Sequence, residues 1–332
     1  MLFSIITCTH NPNIAVFKHL IKAVSLLKIH DGFSFEWLII DNNSKIPIKS
    51  LSIFDEIIVK NISFSIYEEY SLGLANARIK GTKCAKGQWI VFFDDDNQPN
   101  QEYLINAYEL INKYTFVKCW GPGNIKVIFL NKNVEEWIYA RKDFFQEKHI
   151  DKVMYSREKI YNKCFPDGTG MLIEKTVLSG YIENVINGEY TLTGRLGRSL
   201  SSGEDTQIVF HTVHNGMHTG ISPDLSLNHI IEQRKSTFQY LKKQVYTGCK
   251  SFVKAHNEVI VDNPYQLVFK DNQGVAKRII RWIMKNYKHI NNPVVVLDFF
   301  GLLGRLYAPY FVANRKPPPL LKAFVYVLVR DN

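Results

Sequence analysis

The sequence predicts an α/β protein built on a doubly wound, mainly parallel sheet, and three observations carry that prediction. The run Trp89-Ile90-Val91-Phe92-Phe93, entered through Gly87 and left through Asn97 and Pro99, is apolar at every position, as a strand buried on both faces must be. Apolar runs that end in polar residues recur at Leu2–Ile6, Trp37–Ile40 and Ile57–Val59. Between these runs lie stretches of helical period, around Ile14 to Ile29 and Leu72 to Ala85, the second closed by Gly87 as its C-cap. Strands alternating with helices imply right-handed crossovers, which gather the carboxyl ends of the strands at one edge, where ligands bind.

The first run leads into Thr7-Cys8-Thr9-His10-Asn11-Pro12, where Thr9 and Asn11 suit either the cap of the helix after Pro12 or contact with a ligand. After the second come Asp41-Asn42-Asn43-Ser44, residue types that also build Asx turns, and after the third Lys60-Asn61. The fourth delivers Asp94, Asp95 and Asp96. Alternation along an extended chain sends Asp94 and Asp96 to one side and Asp95 to the other, and like charges this close raise one another's pKa. A divalent cation, Mn²⁺ or Mg²⁺, relieves that repulsion. Thr9, Asn11, Asp41 and the three aspartates on one edge suit a nucleotide whose phosphates need a metal and whose base needs hydrogen bonds. No G-x-G-x-x-G follows the first run and no G-x-x-x-x-G-K-[ST] occurs, which disfavours dinucleotide oxidoreductases and P-loop NTPases.

From Trp120 to about Glu232 the alternation fades and glycines and aromatics take over, a composition suited to a pocket wall. Within it, Phe165 to Ile173 contains Gly168-Thr169-Gly170, glycines that suit a bulge or tight turn or let the backbone approach a ligand. Leu200-Ser201-Ser202-Gly203-Glu204-Asp205 precedes a helical candidate from Thr206 to Asn215, so both acids stand near a helix N-terminus, where the dipole favours an ionised carboxylate. Such a carboxylate can take a proton, although Asp205 is also a good N-cap type. His211, His214 and His218 have zinc-like spacing, but Gly216 ends the helix between them and no cysteine pair accompanies them.

Cys8-Thr9-His10-Asn11, Asp41-Asn42-Asn43-Ser44, Gly73-Leu74-Ala75-Asn76-Ala77-Arg78 and Phe93-Asp94-Asp95-Asp96-Asn97 occur in that order, and on them the chain resembles the GT-A fold glycosyltransferases of family 2. Those enzymes are inverting, metal-dependent and use nucleotide sugars. The resemblance implies that Thr9 and Asp41 contact the nucleoside, that Asp41 accepts a hydrogen bond from the base, and that Arg78 lies near the base or phosphates. It puts Asp94 near the ribose, Asp95 in the same donor subsite and Asp96, with Asp94, at the metal. Asp205 corresponds to the general base, with Glu204 on the acceptor side, and His229 to a C-terminal histidine on the cation or diphosphate. Asn42 departs from the second aspartate more usual after strand two. A polymerising synthase of the family would carry Q-x-x-R-W, which Gln233-Arg234 does not supply. Transfer of a single sugar is therefore expected, from a UDP-sugar to a hydroxyl of a glycan or lipid-linked glycan in surface polysaccharide biosynthesis. The rivals are a nucleotidyltransferase, which should show a glycine-rich basic signature near its first strand, and a non-catalytic membrane-docking or lectin-like module. Retention of Asp94, Asp96 and Asp205 together argues against the second.

With 332 residues, the chain has room for a GT-A domain, divided into a nucleotide-sugar half at 1–120 and an acceptor and catalytic half at 121–235, and for a basic helical appendage at 236–332. Five cysteines without C-x-x-C fit a reducing cytosol, and no leader precedes the first strand. The formal charge of +10 is concentrated late, in Lys277, Arg278, Arg281, Lys285, Lys288, Arg305 and beyond, interleaved with Trp282 and with Phe299 to Tyr307. That mixture suits a helix lying on an anionic membrane surface, and equally an amphipathic helix packed on its own domain. Asp298, Arg305 and Pro309 disfavour a bilayer span over Val294 to Val312, and no nucleic-acid motif accompanies the basic residues.

Overall fold

The computed structural model describes residues 1–54, 62–192, 194 and 203–329. Its chain runs β1 (Phe3–Thr9), α1 (Ile14–Val24), β2 (Phe35–Asp41), β3 (Phe64–Glu68), α2 (Leu74–Cys84), β4 (Trp89–Phe92), β5 (Asn97–Pro99), α3 (Tyr103–Lys113) and β6 (Val117–Phe129). There follow α4 (Glu136–Tyr139), β7 (Lys148–His149), β8 (Met154–Ser156), β9 (Leu172–Glu174), α5 (Lys175–Ile186), α6 (Glu204–His214) and β10 (His218–Ile231). Four helices close the chain: α7 (Phe238–Val259), α8 (Asn272–Asn286), α9 (Pro293–Val312) and α10 (Pro319–Val329).

The strands form one sheet in the order β3-β2-β1-β4-β9-β6-β10-β5, with β7 on β6 and β8 on β10. From β3 to β4 the pairing is parallel, β9 runs antiparallel between β4 and β6, and β6 pairs in parallel with β10. The chain builds outward from β1 to β3 and then returns to the other side of β1 as β4. That reversal leaves a crevice at the carboxyl ends of β1 and β4. Side-chain alternation feeds two cores: Ile5, Trp37 and Val91 pack with Phe17 and Leu104 under α1 and α3, while Ile6, Leu38 and Phe92 pack with Ala77, Leu178 and Val209 under α2, α5 and α6. Helices on both faces make the sheet doubly wound, as expected.

Several boundaries differ from the sequence reading. Helix α1 stops at Val24, because Ser25 to Lys28 turn away and Lys28 N–H donates to Gln101 O. Asn13, not Thr9 or Asn11, caps it through Ala15 N–H. Gly87 is not the cap of α2, which ends at Cys84. A Cβ on Gly87 would stand 2.5 Å from Ser4 N, so glycine is what lets the chain pass over β1. The expected strand Ile57–Val59 lies outside the described residues, and the strand beyond β2 is Phe64–Glu68. The middle third is not irregular, because β6 and β10 run side by side through Gly121-Pro122-Gly123 with a register shift between Ser222 and Ser226.

The C-terminal helices are partly core. Ala255 and Val259 of α7 join the second core, and α9 packs against α7 through Tyr246, Phe300, Leu303 and Tyr310. By length and composition α9 could cross a membrane, but half of it is buried. Trp282 and the Phe299 to Tyr307 stretch, for which a membrane surface or packing on the domain was open, are half-buried or buried save Arg305: Trp282 Nε1–H donates to Asp298 at 2.9 Å and its ring lies 4.8 Å from Phe299. Exposed apolar residues of this region include Ile280, Ile283, Met284 and Tyr287, with Ile290, Tyr326 and Val327.

Candidate active site

Where β4 ends, Asn97 N–H donates to Asp94 O and Asp94 N–H donates to Asn97 Oδ1, so residues 94–97 form a turn. The expected alternation fails for that reason, and all three aspartates line one cleft of about 310 Å³. Each takes a different partner. Asp94 accepts from the Thr169 hydroxyl at 3.3 Å and Asp95 from the Thr9 hydroxyl at 2.5 Å. Asp96 Oδ2 lies 2.6 Å from Lys235 Nζ and 3.5 Å from His229 Nε2.

Strand pairing explains that last convergence. β5 runs antiparallel to β10 with Asn97 opposite His229, and Ile230 N–H donates to Asp96 O, which fixes the histidine beside the acid. Burial disfavours the Asp96 carboxylate, but Lys235 and His229 outweigh it and hold its pKa well below the usual range. Asp95 goes the other way, pushed up to about 6 by burial and by the charge of Asp96. Burial also opposes an imidazolium at His229, yet Asp96 holds its pKa above the ordinary value.

Arg78 enters from α2, whose first residue follows Gly73 at φ +128°. Its guanidinium is buried, 3.3 Å from Glu204 Oε1 and 4.8 Å over the Phe92 ring. Burial works against this charge, but Glu204, Asp94 and Asp205 more than offset it. Glu204 and Asp205 occupy the first turn of α6 behind Gly203, whose φ of +120° suits glycine. Asp205 is therefore not the N-cap. It accepts from Thr206 N–H at 2.7 Å and, through Oδ2, from Gly168 N–H at 3.2 Å. Glu204 points down to Arg78, while Asp205 faces the Gly168-Thr169 turn. The resemblance implied a strand over Phe165 to Ile173; only Leu172–Glu174 is one, and the glycines form the turn that was its alternative.

Two expected site residues do not reach the cleft wall. Asp41 spends both oxygens on the turn after β2, accepting from Ser44 N–H at 2.9 Å and Ile48 N–H at 2.8 Å. Asn11 is exposed at φ +49° and bonds Ser44 and Lys45 of the same turn. Between them Asn42 does reach the wall, and its amide explains the departure from aspartate. Nδ2 donates to Glu69 O at 3.1 Å and Ser71 O at 2.8 Å, while Oδ1 accepts from Gly73 N–H at 2.8 Å. A carboxylate cannot donate either of the first two bonds. Sequence reasoning also missed Lys235 and Thr169. The one available signal for Lys235 was a pair of cations, Arg234-Lys235, just past the strand that carries His229.

Among the described residues no three His, Cys, Asp or Glu side chains converge as a metal site. Asp96 and His229 form a pair, and His229 Nδ1 is engaged by Phe145 O at 2.9 Å, which leaves Nε2 toward Asp96. One carboxylate and one imidazole fit a Mn²⁺ or Mg²⁺ ion that draws its other ligands from a diphosphate and water.

A reversing, doubly wound sheet with an acidic cleft at its switch point is the architecture of a GT-A glycosyltransferase. Residues 4–181 match the model of glycosyl transferase family 2, and the chain belongs to that family. Among solved structures, S. aureus TarS 1–349 in complex with UDP-GlcNAc is similar at 14% identity over 95% of this chain and 93% of that chain, with a TM-score of 0.48. GalNAc-T7 with UDP, GalNAc and Mn²⁺ is similar at 16% identity over 77% of this chain and 51% of that chain, with a TM-score of 0.49. A longer S. aureus TarS structure gives 15% identity and a TM-score of 0.45, and this chain spans 44% of its length. No curated protein matches the chain.

Proposed function

We propose that the chain is an inverting glycosyltransferase that moves one sugar from a UDP-sugar to a hydroxyl of a glycan or lipid-linked glycan, in the making of a surface polysaccharide. The observation that carries this reading is the turn Gly168-Thr169, whose adjacent residues bond Asp205 and Asp94. It joins the proposed base to the acidic triplet across a single peptide. Thr9, Asp94 and Asp95 line the nucleoside end, and Asp41 and Asn11 act indirectly, by fixing the turn that carries Asn42. Asp96 and His229 would hold Mn²⁺ or Mg²⁺, which when bound supplies Lewis acidity and a template for the diphosphate. Asp205 takes the proton of the acceptor hydroxyl on the face opposite the leaving group, so displacement inverts the anomeric carbon. Glu204 keeps Arg78 oriented beneath it. Incubation of the purified protein with Mn²⁺ and a panel of nucleotide sugars tests the reading. Slow release of UDP from a UDP-sugar supports it, and inertness toward every nucleotide sugar rejects it.

The second part of the reading concerns place. On α8 only Val275 and Ile279 are buried, while Ile280, Ile283, Met284 and, just past its end, Tyr287 are exposed among Lys277, Arg278, Arg281, Lys285 and Lys288. Apolar groups set among cations suit the headgroup region of an anionic cytoplasmic leaflet, where each cation contributes about 1 kcal/mol. Liposome sedimentation should therefore increase with anionic lipid and fall with salt. Unchanged sedimentation of an Ile283→Glu/Met284→Glu variant removes this face from the reading.

A further inference from the structure

A second hollow, about 860 Å³, lies across the β5 and β10 pair from the acidic cleft. Alternation along β10 divides its side chains: His229 enters the acidic cleft, while its neighbour Asn228 lines the second hollow and donates its amide to Gln98 of β5 at 2.9 Å. The partition between the two spaces is thus one pair of strands.

The chemistry of the second hollow is the reverse of the first. Lys18 and Lys22, one turn apart on α1, and Lys126 on β6 face it together with His19 and His149. Its one acid, Glu102, is paired with Lys28 at 3.0 Å. Lys18, Lys22 and Lys126 are exposed, and none makes an ion pair among the described residues. Cations from two elements turned into one concavity focus a positive potential that only an anionic occupant relieves. Side-chain amides of Gln98, Asn100 and Asn124 add partners for hydroxyl groups, and no Phe, Tyr or Trp offers a stacking platform for a neutral sugar.

We propose that this basic hollow binds an anionic stretch of the acceptor glycan, phosphate or carboxylate groups on a hydroxyl-rich chain, and so holds the acceptor beside the donor cleft. The word acceptor rests on the glycosyltransferase reading, whereas the affinity for an anionic glycan does not. Fluorescence anisotropy with a labelled oligogalacturonate and a labelled neutral dextran of equal length tests it on the full chain. The oligogalacturonate should bind in a salt-dependent way and the dextran should not. Lys18→Glu/Lys22→Glu/Lys126→Glu should weaken oligogalacturonate binding by about ten-fold or more with UDP binding unchanged, as removal of complementary charge predicts. Lys277→Glu/Arg281→Glu should leave it within about two-fold, since that pair belongs to the tail. Equal binding of both probes, undiminished binding by the triple variant, or loss through the tail variant alone each overturns the proposal. If oligogalacturonate behaves as expected while no nucleotide sugar is consumed, the enzymatic reading fails and the anion site stands.

Discussion

Lys235 reaches back 139 residues to place its Nζ 2.6 Å from Asp96 Oδ2, the oxygen that His229 Nε2 also faces at 3.5 Å. The acid proposed to hold a divalent ion is therefore already neutralised by the protein. A metal held at this oxygen would compete with the ammonium, which would then be available as a second positive charge for a diphosphate. Removal of Lys235 should act in opposite directions on two ligands. Lys235→Ala is expected to bind Mn²⁺ alone several-fold more tightly than wild type, because no partner is displaced, and to bind UDP more weakly in the presence of Mn²⁺. Isothermal titration with each ligand reads both. Unchanged Mn²⁺ affinity would mean that the metal does not use Asp96.

Asp205 accepts from Gly168 N–H through Oδ2 and from Thr206 N–H through Oδ1, and asparagine keeps one of these two accepting oxygens while losing basicity. Asp205→Asn is therefore expected to bind UDP-sugar nearly as wild type and to lose transfer by on the order of 100-fold or more. Single-turnover assays beside a binding isotherm separate the two effects. A variant with near-normal turnover would place the base elsewhere.

Much of this site was legible because its parts lie at the ends of apolar runs. β1, β2 and β4 declare themselves by composition, and their exits carry Thr9, Asn42 and the aspartates. What stayed hidden depends on contacts distant in sequence. Lys235 becomes a site residue only once β10 pairs with β5, and no local pattern encodes that pairing. β6 and β10 were obscured by Gly121-Pro122-Gly123 and by the register shift near Ser222, which read locally as turns. β3 is five residues long and mostly half-buried, so it lacks the apolar run that marks a central strand. The orientation of the tail stayed open for a related reason. Interleaved cations and aromatics show that a helix is amphipathic, but packing of α9 on α7, and of α8 on α9 and α10, decides which residues face inward.

Asn42 offers a test of local architecture. Its side chain joins Glu69, Ser71 and Gly73, the loop that leads into the helix carrying Arg78. Asn42→Asp replaces two donated bonds with carboxylate facing carbonyl oxygen, at a cost of about 1–3 kcal/mol for the unsatisfied buried groups. Urea unfolding should show a lower midpoint with an unchanged slope, and UDP affinity should fall because the cleft wall loosens. Full stability in the aspartate variant would show that the loop is held by other contacts.

His211, six residues beyond Asp205 on α6, supplies the pH dependence. It is buried between Tyr190 O–H, 3.0 Å from Nδ1, and the Asn215 amide, 3.3 Å from Nε2. Burial, with a smaller contribution from His214, lowers its pKa from 6.5 to about 4. Between those values the unfolded chain takes up a proton that the native ring refuses. The stabilisation is therefore complete above pH 6.5 and is lost progressively as pH falls toward about 4, by roughly 3 kcal/mol at most. Urea midpoints at about pH 7.5, 6 and 5 should drop in that order, and the drop should be shallower in His211→Gln, which has no proton to take up. Parallel pH profiles for wild type and variant would assign the acid sensitivity to other groups, because the linkage at this ring would then contribute nothing.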